Sequence, residues 1–189
     1  MSILLLQVHG FKPGGGSVFG KGLQQPSKLT LTDDELHLYK LIMNHRLKNG
    51  LESIPVSSSS SYVAKLYVRD LEMHPPSGAS SIHSWSEYGS WTSFCDSDSG
   101  SDKYMWSKPA ELTNYKGKGY EIAAWTSGRM NPDTALSLWA DSPEHNAIIT
   151  NDGNWKNRQW NAVGVAISGH YAVVWFGKEL ENERTAARN

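Results

Sequence analysis

The residues with most chemistry to offer lie in three short stretches. One is Trp139-Ala140-Asp141-Ser142-Pro143-Glu144-His145-Asn146-Ala147-Ile148-Ile149, where a helix ending in a tryptophan runs into a second helix start. Ser142 can cap that second helix, and Pro143 fits its first position, where a missing N–H costs nothing. Glu144 falls in the first turn, where a carboxylate suits the positive end of the helix dipole, and His145 follows it. The other two stretches are Ile82-His83-Ser84-Trp85 and Gly119-Tyr120-Glu121-Ile122-Ala123, which read as partners of that helix start. Two imidazoles and one or two carboxylates on converging loops have three uses. They can bind a divalent ion such as zinc, leaving a coordination position for water. They can form a His–Glu pair for general acid–base work. Or they can be a buried hydrogen-bonded network that fixes the loops. No nucleophile recommends itself: Ser84 neighbours His83 only in sequence, and Cys95 has no evident activating partner.

The elements that must position these groups follow from periodicity and punctuation. Thr32-Asp33-Asp34-Glu35 is a capping box that opens a helix running to about Gly50, with Leu38, Leu41 and Ile42 on one face and His45 at the core edge. The serines at 57–61 lead into a second helix ending near Met73, before Pro75-Pro76. Residues 77–118 are the least regular part. Within them, Cys95–Asp102 places carboxylates at alternating positions but lacks a Glu at the twelfth, so it reads as a solvated loop rather than a calcium site. Asn131-Pro132-Asp133 caps a third helix, and the helix from Ser142 follows. Residues 162–167 and 171–176 are two strands joined by the tight turn Ser168-Gly169-His170, hence an antiparallel hairpin. Helices first and a hairpin last give an α+β class.

A chain of 189 residues is long enough for one domain with a proper core, and its 39% hydrophobic and 20% charged content is ordinary for a globular protein. Net charge is −1 with Lys and Arg scattered, which lacks the electrostatic footprint of a nucleic-acid binder. No run reaches membrane-span length. Residues 1–30 are expected to hold a short strand and a Gly-rich linker; the Ile3–Leu6 run has neither basic flank nor cleavage site and is a poor leader. The single cysteine excludes an internal disulfide framework. Eight tryptophans and eight tyrosines exceed what such a core needs, and Trp85, Tyr88, Trp91 and Trp106 sit in Gly/Ser-rich context. They either plug a loop-rich domain or line a cleft that stacks on a flat or ring-shaped ligand.

Taken in order across about residues 33–177, five features resemble the CAP superfamily, and its small bacterial members most. They are the opening helix with Asn44-His45-Arg46 and Gly50-Leu51, the His83-Ser84 pair, Tyr120-Glu121-Ile122-Ala123, Trp139-x-x-Ser142-Pro143-x-His145 with Ile148-Ile149, and the Val163-Gly164-Val165 hairpin ending in Trp175-Phe176-Gly177. The family comprises cysteine-rich secretory proteins, venom antigen 5 and plant pathogenesis-related proteins. The resemblance implies a three-layer α-β-α sandwich around a central antiparallel sheet, spanning residues 31–178; the polar residues at 179–189 read as a tail that frays. It also implies a cavity lined by two His and two Glu, which in some members binds zinc or another divalent ion.

By motif, His83 maps onto the first cavity His and Glu121 onto the first cavity Glu, while His145 belongs to the bacterial helix-start motif. His83, Glu121 and His145 are therefore the metal-ligand and catalytic candidates. Trp85, Tyr120, Trp139 and Glu144 are the ligand-contact candidates. The second cavity Glu of eukaryotic members corresponds here to Ser142, and Glu144 is the nearest substitute. The Asn of the family's Gly-Glu-Asn motif is replaced by Ile122. His170-Tyr171 with Val173-Val174-Trp175 mimics a eukaryotic signature but follows the Gly-containing strand instead of preceding it. The functions implied are binding of a small-molecule, lipid, sterol or cell-wall ligand without catalysis. Alternatives are a metal-dependent hydrolase acting on peptide or cell-wall material, and a glycan-binding module using the aromatics at 85–106. The family is mostly secreted, which implies an extracellular protein.

Overall fold

The structure is a computed structural model that describes residues 29–181; the strand and Gly-rich segment expected at 1–28 and the tail at 182–189 lie outside the described residues. Five helices and one three-stranded sheet are described, in the order α1 (Asp33–Lys48), α2 (Ser58–Met73), α3 (Asp102–Leu112), β1 (Gly119–Trp125), α4 (Pro132–Asp141), α5 (Pro143–Ile149), β2 (Ala162–Ser168) and β3 (Tyr171–Gly177). A 3-10 turn, Gly153–Trp155, links α5 to β2. The class is α+β, as the sequence predicts.

The sheet is antiparallel with β3 in the centre, β1 on one side and β2 on the other. Alternation along each strand sends one set of side chains to each face. Tyr120, Ile122 and Ala124 of β1, Val163 and Val165 of β2, and Ala172, Val174 and Phe176 of β3 join Leu38 and Ile42 of α1, Ala135 and Trp139 of α4, and Ile149 of α5. Ala123, Ala166, Val173 and Trp175 on the opposite face join Val63, Ala64, Tyr67 and Leu71 of α2 and Met105 and Leu112 of α3. The apolar core is thus in two parts, separated by the sheet.

Local chemistry explains most of the helix bounds. Thr32 accepts the amide of Glu35 while the Glu35 carboxylate accepts the amide of Thr32, completing the capping box. Ser57 caps α2 through the amide of Ser60, and Asn131 caps α4 through that of Thr134. Ser142 stands at the N-cap of α5 but makes no side-chain cap bond, contrary to expectation; only its carbonyl engages the helix, through the amide of Asn146. The unexpected helix is α3. Pro109 interrupts its pattern, and the Ser101 hydroxyl at its N-cap donates back to the Asp96 carbonyl instead of capping the helix, so neither usual signal marks it.

α2 approaches the sheet closely where Gly164 lies under its first turn. A Cβ at Gly164 would fall well inside van der Waals contact of the backbone of Ser60 and Ser61, so only glycine fits. The hairpin turn is the two-residue Gly169-His170, with Gly169 at φ +52°. Beyond β3, residues 179–181 are tied down: the Glu179 carbonyl accepts from the Tyr115 hydroxyl, and the Glu181 carboxylate accepts the amides of Ser58 and Ser59. The described start of the expected polar tail is therefore part of the fold, because a carboxylate satisfies amides that α2 leaves unpaired.

Candidate functional site

Glu121 sits at the middle of β1, on the α2 face, directly opposite Trp175 of β3. Its side chain is only 3% exposed, and Oε2 lies 2.9 Å from Nδ1 of His83, whose own side chain is 38% exposed. Oε1 of Glu121 is buried and has no hydrogen-bond partner among the described residues. The His145 ring, at the start of α5, stands with its centroid 6.2 Å from that of His83, tilted by 42°. Three segments far apart in sequence therefore bring together the two imidazoles and one carboxylate singled out by their motifs.

The loop carrying His83 is stitched by Asp96. Its carboxylate accepts from the Ser81 amide, the Ser81 hydroxyl and the Ser84 hydroxyl, at 2.9, 2.7 and 2.5 Å. Ser81 Oγ in turn accepts the amide of His83 at 3.1 Å. The Trp85–Phe94 backbone bridge and the Asp70 carboxylate, which accepts the amide and hydroxyl of Ser86, close the rest of the loop onto α2. The segment expected to be a solvated loop at 95–102 is thus partly structural. Sequence reading missed the role of Asp96. Serines three apart facing a later aspartate are the only signal it carries.

The electrostatics of the two histidines differ in sign. Burial pulls His83 down, but the charge and hydrogen bond of Glu121, helped by Asp96, outweigh it and hold His83 above the ordinary imidazole value. Burial pushes the Glu121 carboxyl up, and the charge and hydrogen bond of His83 oppose this only in part. For His145, burial and the positive charge of His83 both act downward, against Glu144, and hold it below the ordinary value. Together they favour one proton held within the His83–Glu121 pair beside a neutral His145.

The remaining candidates are placed differently. Trp85 is 2% exposed, stacked on Tyr67 at 4.6 Å with rings 6° apart, and Trp139 is fully buried in the core. Neither offers a face to a ligand in this structure, because each ring is consumed by packing. Tyr120 points to the opposite sheet face from Glu121, its hydroxyl accepting from Arg158 at 2.7 Å. Glu144 is exposed beside His145. Ser84 donates its hydroxyl to Asp96 rather than to an imidazole, and Cys95 Sγ lies 3.1 Å from Ser97 Oγ. His170 Nδ1 lies 2.9 Å from the Gly128 carbonyl and its amide donates to Glu72, so it serves the hairpin turn. His45 Nε2 lies 2.8 Å from Oδ1 of Asn146, joining α1 to α5.

Two imidazoles and a carboxylate are the right donor types for a divalent ion. Among the described residues, however, no three of the His, Cys, Asp and Glu side chains gather as a ligand set. Glu121 is spent on His83 Nδ1, the arrangement in which a carboxylate orients a histidine whose other nitrogen is free to ligate.

No protein-family model matches the sequence, and no curated protein matches it. Solved structures do match the fold. An outer surface protein from Borrelia burgdorferi is 18% identical with a TM-score of 0.55, over 80% of this chain and 96% of that one. A cysteine-rich secretory protein from Staphylococcus aureus is 13% identical at TM-score 0.51, and an extracellular protein containing a SCP domain from Bacillus anthracis is 13% identical at 0.53. These cover 78% and 80% of this chain but 38% and 45% of those proteins, so this chain spans less than half of either.

Proposed function

We propose that this chain, which has the fold of the SCP-domain proteins of the CAP superfamily, is an extracellular binding domain whose cleft at His83, Glu121 and His145 takes a ligand or a divalent ion without turning it over. The sheet between two separate apolar clusters supports reading the architecture as the three-layer α-β-α sandwich. Surface and extracellular descriptions of the matching structures favour the location.

The observation that carries the reading is the His83–Glu121 pair: a carboxylate 97% buried, hydrogen-bonded through one oxygen, with its other oxygen unpartnered among the described residues. Keeping a carboxylate there costs free energy that a well-packed apolar residue would not. A group retained at such cost for fixing His83 fits a site whose purpose is to present that imidazole. If a divalent ion binds, His83 and His145 hold it and Glu121 orients His83 from behind. Such an ion would supply Lewis acidity and a more acidic bound water. A purely organic ligand would instead meet the protonated pair as a hydrogen-bond donor. Hydrolysis through a serine nucleophile is disfavoured, because the hydroxyl next to His83 is already committed to Asp96.

Zinc titration by calorimetry on chelator-stripped protein tests the metal half. One site per chain, lost in His83→Ala and weakened about 10–100-fold in Glu121→Gln, is the expected result. Absence of heat in the wild type would remove the ion and leave an organic ligand. Turnover of peptide or cell-wall substrates by the zinc-loaded protein, abolished in His83→Ala, would overturn the non-catalytic reading.

A further inference from the structure

At the Gly119 end of β1, on the face away from Glu121, a second set of side chains has no part in the site above. Trp106 of α3, Tyr120 of β1, Trp155 of the 3-10 turn and Trp160 form a contiguous ring cluster, with centroids 5.7 Å apart for Trp106–Tyr120, 5.2 Å for Tyr120–Trp155 and 5.6 Å for Trp155–Trp160. Tyr120 and Trp160 are buried and make the floor, while Trp106 and Trp155 are half-buried and make the rim. Ordinary core packing accounts for the floor. It does not account for cations on the rim.

The Arg158 guanidinium lies 4.9 Å from the Tyr120 centroid and 5.5 Å from that of Trp155, and Lys118 Nζ lies 5.1 Å from the Trp106 centroid. Among the described residues neither Arg158 nor Lys118 is ion-paired. Lys116 and Lys156, both exposed, belong to the same two segments. Of the acidic groups nearby, the Asp152 carboxylate accepts the Gly153 amide, Glu121 is turned to the other face against His83, and the Glu179 side chain lies against Gly117. A chain of net charge −1 therefore places two cations against this ring cluster, with two more exposed lysines in the same segments.

We propose that this aromatic and cationic rim is a binding site for a saccharide carrying carboxylate groups. Indole faces and edges pack against the C–H faces of a pyranose, and a guanidinium beside them can take a carboxylate through its N–H groups. Arg158 donates from Nη1 to the neutral Tyr120 hydroxyl, which tethers the guanidinium without neutralising its charge. The site does not depend on the cleft at His83.

Tetragalacturonate is the probe, with maltotetraose as its uncharged counterpart and tetraglutamate as a carboxylate without the ring. Intrinsic tryptophan fluorescence and calorimetry on the full chain read the binding. Tetragalacturonate is expected to bind, with maltotetraose and tetraglutamate each at least about tenfold weaker. Arg158→Gln and Lys118→Gln should each weaken the acidic saccharide by about tenfold or more. Lys118 is exposed, so its variant keeps the test valid should Arg158→Gln fail to fold; thermal melts monitor that. His83→Ala should leave this binding unchanged, which separates it from the cleft. Failure to bind tetragalacturonate at millimolar concentration, equal binding of tetraglutamate, or full affinity in Lys118→Gln overturns the proposal.

Discussion

The two faces of the sheet solve different problems with the same strands. Toward α1, α4 and α5 the strands present Ile122, Val163, Val165, Val174 and Phe176, and the interface is nearly pure hydrocarbon and ring. Toward α2 and α3 the same strands present Glu121 and Gly164, and the surrounding segments bury Asp70, Ser84 and Lys108. Lys108 is fully buried, its ammonium donating to the Thr92 carbonyl and to Glu111 and lying 5.2 Å from the Trp85 ring centroid. Both faces bury an apolar cluster, but the second adds polar contacts that position an irregular loop. The difference teaches where the His83 cleft could be built: at the centre of β1 the first face offers only apolar side chains, whereas the second carries the buried Glu121.

Substitutions can break or sharpen that contrast. The largest expected effect is Gly164→Ala, which drives a methyl into the α2 backbone; a loss of about 3 kcal/mol or more by chemical denaturation is expected, with soluble folded protein scarce. A loss below about 1 kcal/mol would mean that α2 is free to move off the sheet. Next comes Ile122→Ala on the hydrocarbon face, where a fully buried side chain leaves a cavity; about 3 kcal/mol is expected, with the His83 NMR titration unchanged.

On the polar face, Glu121→Gln should cost less but change the pH profile. His83 has a folded-state pKa above its unfolded one, so its contribution is complete below about pH 6.5 and is lost as pH rises through the folded value. His145 has its folded value lowered, so its contribution is present above about pH 6.5 and is lost as pH falls through that lowered value. NMR should show His83 titrating above and His145 below an ordinary histidine, with Glu121→Gln bringing His83 down. Identical titrations for the two rings would dissolve the contrast between them. The smallest effect is Thr32→Ala, which removes the capping box from α1 on the other side of the sheet and should cost about 1 kcal/mol in thermal or urea melts.

Much of this organisation is legible in the chain. The capping box at Thr32, the Ser57 cap, Asn131-Pro132 and the hairpin around Gly169 each carry a local signal, and each element forms where that signal lies. α3 is hidden because Pro109 lies inside it and its N-cap serine makes no capping bond. Trp85 reads as a loop ring from its Gly/Ser-rich surroundings, yet Tyr67, eighteen positions away on α2, claims its face. The pairing of His83 with Glu121 is legible only through motif resemblance, since nothing local to either predicts a contact across 38 positions. The same holds for Asp96, whose partners are serines on the far side of the loop.

α2 is fastened to the hairpin at both of its ends. Near its start the Ser57 amide donates to the Val163 carbonyl and Gly164 lies beneath the first turn. Near its finish Glu72 accepts the amide of His170 at the hairpin turn. A helix held at both ends has no free end from which to fray, so its opening must begin by breaking one of these contacts. Fraying is therefore replaced by all-or-none release, and the central amides of β3 should exchange with solvent only when the whole domain opens. The slowest-exchanging protons of the molecule then lie directly across the strand pairing from Glu121, so the carboxylate rests on the part of the chain that opens last.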